Sequence, residues 1–176
     1  MFDVVMPDKN EESFIDMALS LGYKEIVFLT RDSKYKYYSD RINVRTAFLV
    51  SNITQINAVR KNFDYIFANA ERQFFESKVD YIINAELFSM KDSFHYKRTA
   101  LNQVHAKLCK EKGICVVFSF SNLLNKKRIQ IMGRMFQNAF IAKKYVLKTD
   151  AFSLASTPID MKSRNVCHSL LRVLGI

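Results

Sequence analysis

Short, nearly continuous apolar runs alternate with helical periods along the whole chain, and this alternation narrows the fold more than any other feature. Strand-like runs fall at Phe2 to Met6, Glu25 to Thr30, Val44 to Val50, Asp64 to Asn69, Tyr81 to Ala85, Ile114 to Phe120 and Asp150 to Ala155. Between them lie amphipathic stretches. Phe14, Met17, Ala18 and Leu21 recur at helical spacing, with Asp8 or Asn10 as the cap, Asp8 and Glu11 spaced as a capping box, and Gly22 as a stop. Asn52 can cap a helix carrying Ile53, Ile56 and Val59, and a short helix holds Phe74 and Phe75. Three longer helices are expected over about Thr99 to Lys112, Lys126 to Tyr145 and Lys162 to Leu174. The second of these is expected to bury Ile129, Met132, Met135 or Phe136, and Phe140. Strands that are apolar on both faces, each followed by a helix, imply a parallel sheet covered by helices. An open doubly wound sheet and a barrel both satisfy that rule. A repeat of twenty-odd residues favours an α/β fold of the small TIM-barrel-like kind, a (βα)7 barrel that is complete or falls short of closure. The 176 residues suit one domain, 1–176.

Standard catalytic signatures are missing. Four scattered glycines make neither a dinucleotide fingerprint nor a P-loop. His95, His105 and His168 form no metal-binding pair at H-x-H or i, i+4 spacing. Polar residues at the C-terminal strand ends, where a barrel enzyme keeps its site, are Thr30, Asn69, Glu86, Ser119, Ser121, Ser156 and Thr157. They are mostly hydroxyls and amides, and helix capping explains Asn69, Ser121, Ser156 and Thr157 equally well. Asp3 on the first run could ligate a metal, but a polar residue satisfied by backbone is the simpler reading. Cys109, Cys115 and Cys167 lie in apolar surroundings, without C-x-x-C spacing, and read as packing residues in a reducing, cytoplasmic setting. The N-terminus has no basic and apolar signal regions, and no apolar run is long enough to span a bilayer, so no membrane partner is expected.

Charge gives the strongest functional hint. The net charge is +10, yet residues 1–88 carry 11 basic and 13 acidic side chains while residues 89–176 carry 16 basic and 4 acidic. Such an asymmetry attracts a polyanion, with nucleic acid ahead of an anionic membrane. Lys126, Lys127 and Arg128 open the long helix, Arg134, Lys143 and Lys144 continue it, and Lys162, Arg164, His168 and Arg172 belong to the last one. These ten are the expected nucleic-acid-binding residues, contacting phosphates rather than reading bases. No catalytic or metal residue is assigned.

The second half carries a distributed pattern. It includes Val79-Asp80-Tyr81-Ile82-Ile83-Asn84, His105-Ala106-Lys107-Leu108, Lys112-Gly113-Ile114 and Phe118-Ser119-Phe120-Ser121-Asn122-Leu123-Leu124. Arg134-Met135-Phe136-Gln137-Asn138, Lys143-Lys144-Tyr145, Ala155-Ser156, Asp160-Met161-Lys162-Ser163 and Leu174-Gly175-Ile176 follow in order. From about residue 79 onward the chain resembles protein component 3 of ribonuclease P, the barrel-fold subunit of the archaeal and eukaryotic enzyme. The resemblance implies a barrel related to the polymerase-and-histidinol-phosphatase phosphoesterases but without their metal ligands. It implies a non-catalytic subunit that supports RNA-catalysed removal of tRNA 5′ leaders. The implied partners are ribonuclease P RNA, protein component 2 in a heterodimer or heterotetramer, and precursor tRNA indirectly. Magnesium would serve the RNA, with no cofactor in this chain. Lys162 stands where the family motif has Arg, and Arg164 where it has Pro, so the bidentate phosphate fork is lost there. The rival expectation is a small metal-dependent phosphoesterase of the same barrel class, using Asp3, Glu86 and His95.

Overall fold

The computed structural model describes residues 2–88, 91, 92, 94 and 97–176. His95 lies outside the described residues. Seven strands form one sheet in chain order: β1 (Phe2–Val5), β2 (Glu25–Thr30), β3 (Asn43–Val50), β4 (Tyr65–Asn69), β5 (Tyr81–Ile83), β6 (Cys115–Ser119) and β7 (Thr149–Phe152). Every neighbouring pair is parallel. Helices α1 (Glu11–Ser20), α2 (Gln55–Val59), α3 (Arg72–Phe75), α4 (Gln103–Lys112), α5 (Arg128–Tyr145) and α6 (Arg164–Leu174) occupy the connections. The tyrosine-rich stretch from Tyr35 to Tyr38 is loop.

The sheet curls into a nearly closed barrel. Alternate residues of the strands meet inside it: Val4, Val27, Leu29, Leu49, Phe67, Ile83, Val117 and Phe152 are buried together. Near the strand starts, Phe2 stacks on Tyr65 and on Phe152, and Phe67 stacks on Tyr81. The interior is therefore filled with side chains and is not a pore. Burying each such ring contributes about 2–3 kcal/mol.

Closure happens in two ways. Leu154 adopts a left-handed backbone, φ +46°, which turns the chain beyond β7 toward β1. Val5 then bridges Ala155, the Leu154 N–H donates to the Val4 carbonyl at 2.9 Å, and the Met6 N–H donates to the Ala155 carbonyl at 2.8 Å. Below this point β7 and β1 do not form a ladder. The carbonyls of Lys148 and Phe152 accept from β6, so Ala151, of opposite parity, turns its carbonyl to the free edge. The Arg164 guanidinium satisfies that carbonyl at 3.0 Å, binds Asp150 Oδ1 at 2.7 Å and lies over the Phe152 ring. An arginine thus seals the seam that a strand would close in a complete barrel.

Two local expectations need correction. The capping box at Asp8 and Glu11 does not form: Asn10 is the first capping residue of α1, and its Oδ1 accepts from the Asp8 N–H instead. Helix α4 starts at Gln103, not near Thr99, because Asn102 Oδ1 caps the His105 N–H and Ala100 is tied by its N–H to the Ala85 carbonyl. Gly113 ends α4 at φ +70°, a left-handed position that glycine occupies without a Cβ penalty.

Candidate nucleic-acid interface

The C-terminal strand ends form the barrel mouth. Asn84, at φ +62°, donates from Nδ2 to Asn69 Oδ1 at 3.0 Å. Asn122 Nδ2 donates to Asn84 Oδ1 at 3.0 Å and to Glu86 Oε1 at 2.7 Å. Glu86 is buried, and burial pushes its carboxyl above the usual carboxylate range against the Asn122 hydrogen bond. Ser119 and Ser121 pair through their hydroxyls at 2.9 Å. Thr30 accepts from the Asp32 N–H, and Thr157 donates to Asp160 Oδ2, so both serve their own turns. Ser156 is exposed. This is an amide-and-hydroxyl latch between β4, β5 and the turn after β6. It contains no base aimed at a nucleophile.

Asp3 is not part of the mouth. Its neighbours Phe2 and Val4 face the barrel interior, so strand alternation turns Asp3 to the outside. There its Oδ1 accepts from the Ser153 N–H at 2.8 Å. Burial raises its carboxyl to about 6, opposed by the Ser153 hydrogen bonds and by Arg164. Asp3 thus lies on the outer face of β1 with Ser153, while Glu86 lies in the turn beyond β5 with Asn122. Among the described residues no group of three or more His, Cys, Asp or Glu could hold a metal ion. Burial pushes the three cysteine thiols up to about 12, which suits packing.

The ten expected RNA-binding residues separate into three groups. Arg134 is a correction: it is buried at 3 % exposure, with Nε 2.8 Å from Asp92 Oδ1 and Nη1 donating to the Glu86 carbonyl. Burial works to raise the Asp92 carboxyl, but the Arg98 N–H, Arg134 and Gln130 outweigh it and hold Asp92 down to about 2. Arg134 fixes the segment beyond β5 onto α5 and presents nothing to a phosphate. Arg164 and Lys162 form the second group. Arg164 seals the β7 edge, and Lys162 Nζ donates to the carbonyls of Asp160 and Met161 while lying over Phe120. His168 is half-buried on α6.

The third group is exposed. Lys126, Lys127 and Arg128 stand at the mouth end of α5, and among the described residues none has a side-chain partner. Lys143, Lys144 and Arg172 stand at the opposite end of the barrel, because each helix runs back from the mouth to the strand starts. Lys143 Nζ donates to the Gly175 carbonyl at 2.9 Å, and Arg172 lies in the last turn of α6. Arg128 and Lys143 are about 22 Å apart along the axis of α5. The cations therefore form two clusters, not one continuous face. Neither α5 nor α6 contains an acidic residue to neutralise them.

The chain is thus a barrel of parallel βα units with an amide-latched mouth and exposed cations at two helix ends. The sequence matches no family model and no curated protein. Solved structures show what the fold is similar to. A chain in a cryo-EM structure of archaeal ribonuclease P with mature tRNA superposes with a TM-score of 0.76 at 19 % identity, covering 99 % of this chain and 82 % of that one. Histidinol phosphate phosphatase from Lactococcus lactis, complexed with zinc, L-histidinol and phosphate, superposes at 0.65 and 10 % identity, covering 99 % and 94 %. The fold is thus the barrel shared by these two proteins.

Sequence reasoning missed Asn84, Asn122 and Asp92. Asn84 and Asn122 are polar residues just beyond strand ends, a placement that a search for latch amides could have flagged. Asp92 leaves only one trace in the sequence, as one of very few acids in a basic half.

Proposed function

We propose that this chain is an RNA-binding, non-catalytic protein subunit of ribonuclease P, supporting RNA-catalysed removal of tRNA 5′ leaders. The observation that carries the reading is the match over nearly the whole chain to a protein of archaeal ribonuclease P, whose structure contains mature tRNA. Three further features support it. The basic excess sits in the half that carries the sequence resemblance. The mouth is latched by amides, where a metal-dependent hydrolase needs converging ligands. Lys126, Lys127, Lys144 and Arg172 are exposed at helix ends without carboxylate partners among the described residues, ready to screen phosphates so that RNA helices pack closely. The protein partner is protein component 2, precursor tRNA is met through the complex, and magnesium serves the RNA.

The RNA contact is tested by the double substitution Lys126→Ala, Lys127→Ala. Binding to ribonuclease P RNA should weaken, and the slope of log K against log salt should flatten by about 1.5 to 2. An unchanged slope removes these two lysines from the interface.

A further inference from the structure

Helix α5 carries two apolar stripes; the fold buries one and uses the other only through Met132, which packs in part against the core. Ile131, Met135, Ala139 and Ala142 face the sheet and are buried. Ile129, Met132, Phe136 and Phe140 form a second stripe, in which Ile129 is 86 %, Phe140 70 % and Phe136 45 % exposed. Arg134 and Ile141 occupy the flank facing α4, where Arg134 reaches Asp92 and Ile141 packs near Leu101. The second stripe lies on the other flank, which right-handed winding turns toward α6. On α6, Val166, Leu170 and Val173 share one flank by their i, i+4, i+7 spacing, and the same winding turns it toward α5. Val166 and Val173 are exposed. The two flanks together outline an apolar groove at the surface, inferred from their facing directions and exposure. At its mouth end is a cavity of about 340 Å³ lined by Leu123, Arg128, Ile129 and Met132.

The ends of the groove are charged and the charge has one sign. Arg128 borders the cavity at the top, and Lys143 bridges to Gly175 at the bottom. No carboxylate on α5 or α6 answers either cation. A run of isoleucine, methionine and two phenylalanines is poorly suited to a phosphate backbone, which is solvated and polar. It is well suited to the apolar face of a helix, with an anchor side chain in the cavity. We propose that the α5–α6 groove is the docking site for an acidic amphipathic helix of a protein partner. The partner helix is about 15 residues long, apolar toward the groove, with carboxylates near its two ends to meet Arg128 and Lys143. This names the partner chemistry for the ribonuclease P reading and rests on it only in that respect. Lys126, Lys127, Lys144 and Arg172 remain for phosphates.

The test uses the full chain and a defined probe without RNA, so this proposal and the ribonuclease P reading fail separately. The probe is a fluorescent helical peptide with leucines along one face and glutamates flanking both ends of it. Its control replaces the glutamates by lysines. The acidic peptide should bind saturably and at least about tenfold more tightly than the control. Ile129→Ser with Phe140→Ser should lose about tenfold or more in affinity while keeping the wild-type circular dichroism and melting curve. Equal binding of the two peptides, or binding unaffected by the double substitution, overturns the proposal. So does self-association of the chain that Phe140→Ser abolishes and the acidic peptide does not compete, since the occupant is then a second copy. Displacement of the peptide by RNA that itself binds more weakly after Phe140→Ser also overturns it, because the groove would then be an RNA site.

Discussion

Arginine shows how little residue type alone says about role. Arg134, Arg164 and Arg172 were alike in the sequence, three cations on two basic helices. Arg134 is buried against Asp92, Arg164 seals a strand edge and only Arg172 is exposed and unpaired among the described residues. The difference comes from partners far away in the chain, Asp92 for one and the free Ala151 carbonyl for the other, so no local pattern could separate them. Asp3 makes the same point with a measurable consequence. Its native carboxyl is raised to about 6 from 3.8 because burial disfavours its charge. The native state therefore holds a proton that the unfolded chain has already released between those values. Stability contributed by this group is greatest below pH 4, falls as the pH climbs to 6, and above that stays lower by about 3 kcal/mol. Asp3→Asn keeps an oxygen for the Ser153 N–H and removes the buried charge. In urea unfolding it should be more stable than wild type at pH 7, by up to about 3 kcal/mol, with the gain gone at pH 4. A variant less stable than wild type at pH 7 and equal to it at pH 4 would contradict this account.

At the scale of elements, the strands were easy to read and the longest helix was not. Glu25 to Thr30 is a strand with those same ends because an unbroken apolar run buried on both faces has few alternatives. The presence of helix α5 is legible, but of its expected inward face, Ile129, Met132, Met135 or Phe136, and Phe140, only Met135 is buried and Met132 packs in part against the core. The bulkier stripe looked like the core. The sheet is instead packed by Ile131, Met135, Ala139 and Ala142, since small side chains let the helix approach the strands closely. Periodicity gives the number of apolar stripes and their spacing, but cannot say which one meets the sheet. The choice has an energetic signature. Ala139→Leu, inside the packed face, should cost about 1–3 kcal/mol by overpacking, whereas Phe140→Ser should stay within about 0.5 kcal/mol. Chemical denaturation of both variants checks it, and a larger loss for Phe140→Ser would mean that the second stripe is part of the core.

For the whole molecule, the alternation of runs and periods is enough to reach a seven-stranded parallel barrel, while whether it closes stays open in the sequence. The seam itself was not legible, because it depends on the left-handed Leu154 and on Arg164 reaching across β7. Nor was the division of the cations into two clusters, which follows from helices running back from the mouth. On the proposed reading the exposed cations take phosphate and the apolar flank of α5 takes protein, the division expected of a supporting subunit that binds without supplying a reacting group. The most direct measurement is reconstitution. Purified chain is added with ribonuclease P protein component 2 to ribonuclease P RNA, and precursor-tRNA cleavage is followed at moderate magnesium. Cleavage that requires the RNA and is raised only when both proteins are present is the predicted result. Cleavage unaffected by this chain, with no binding to the RNA or to component 2, would contradict the account and reduce the likeness to one of fold.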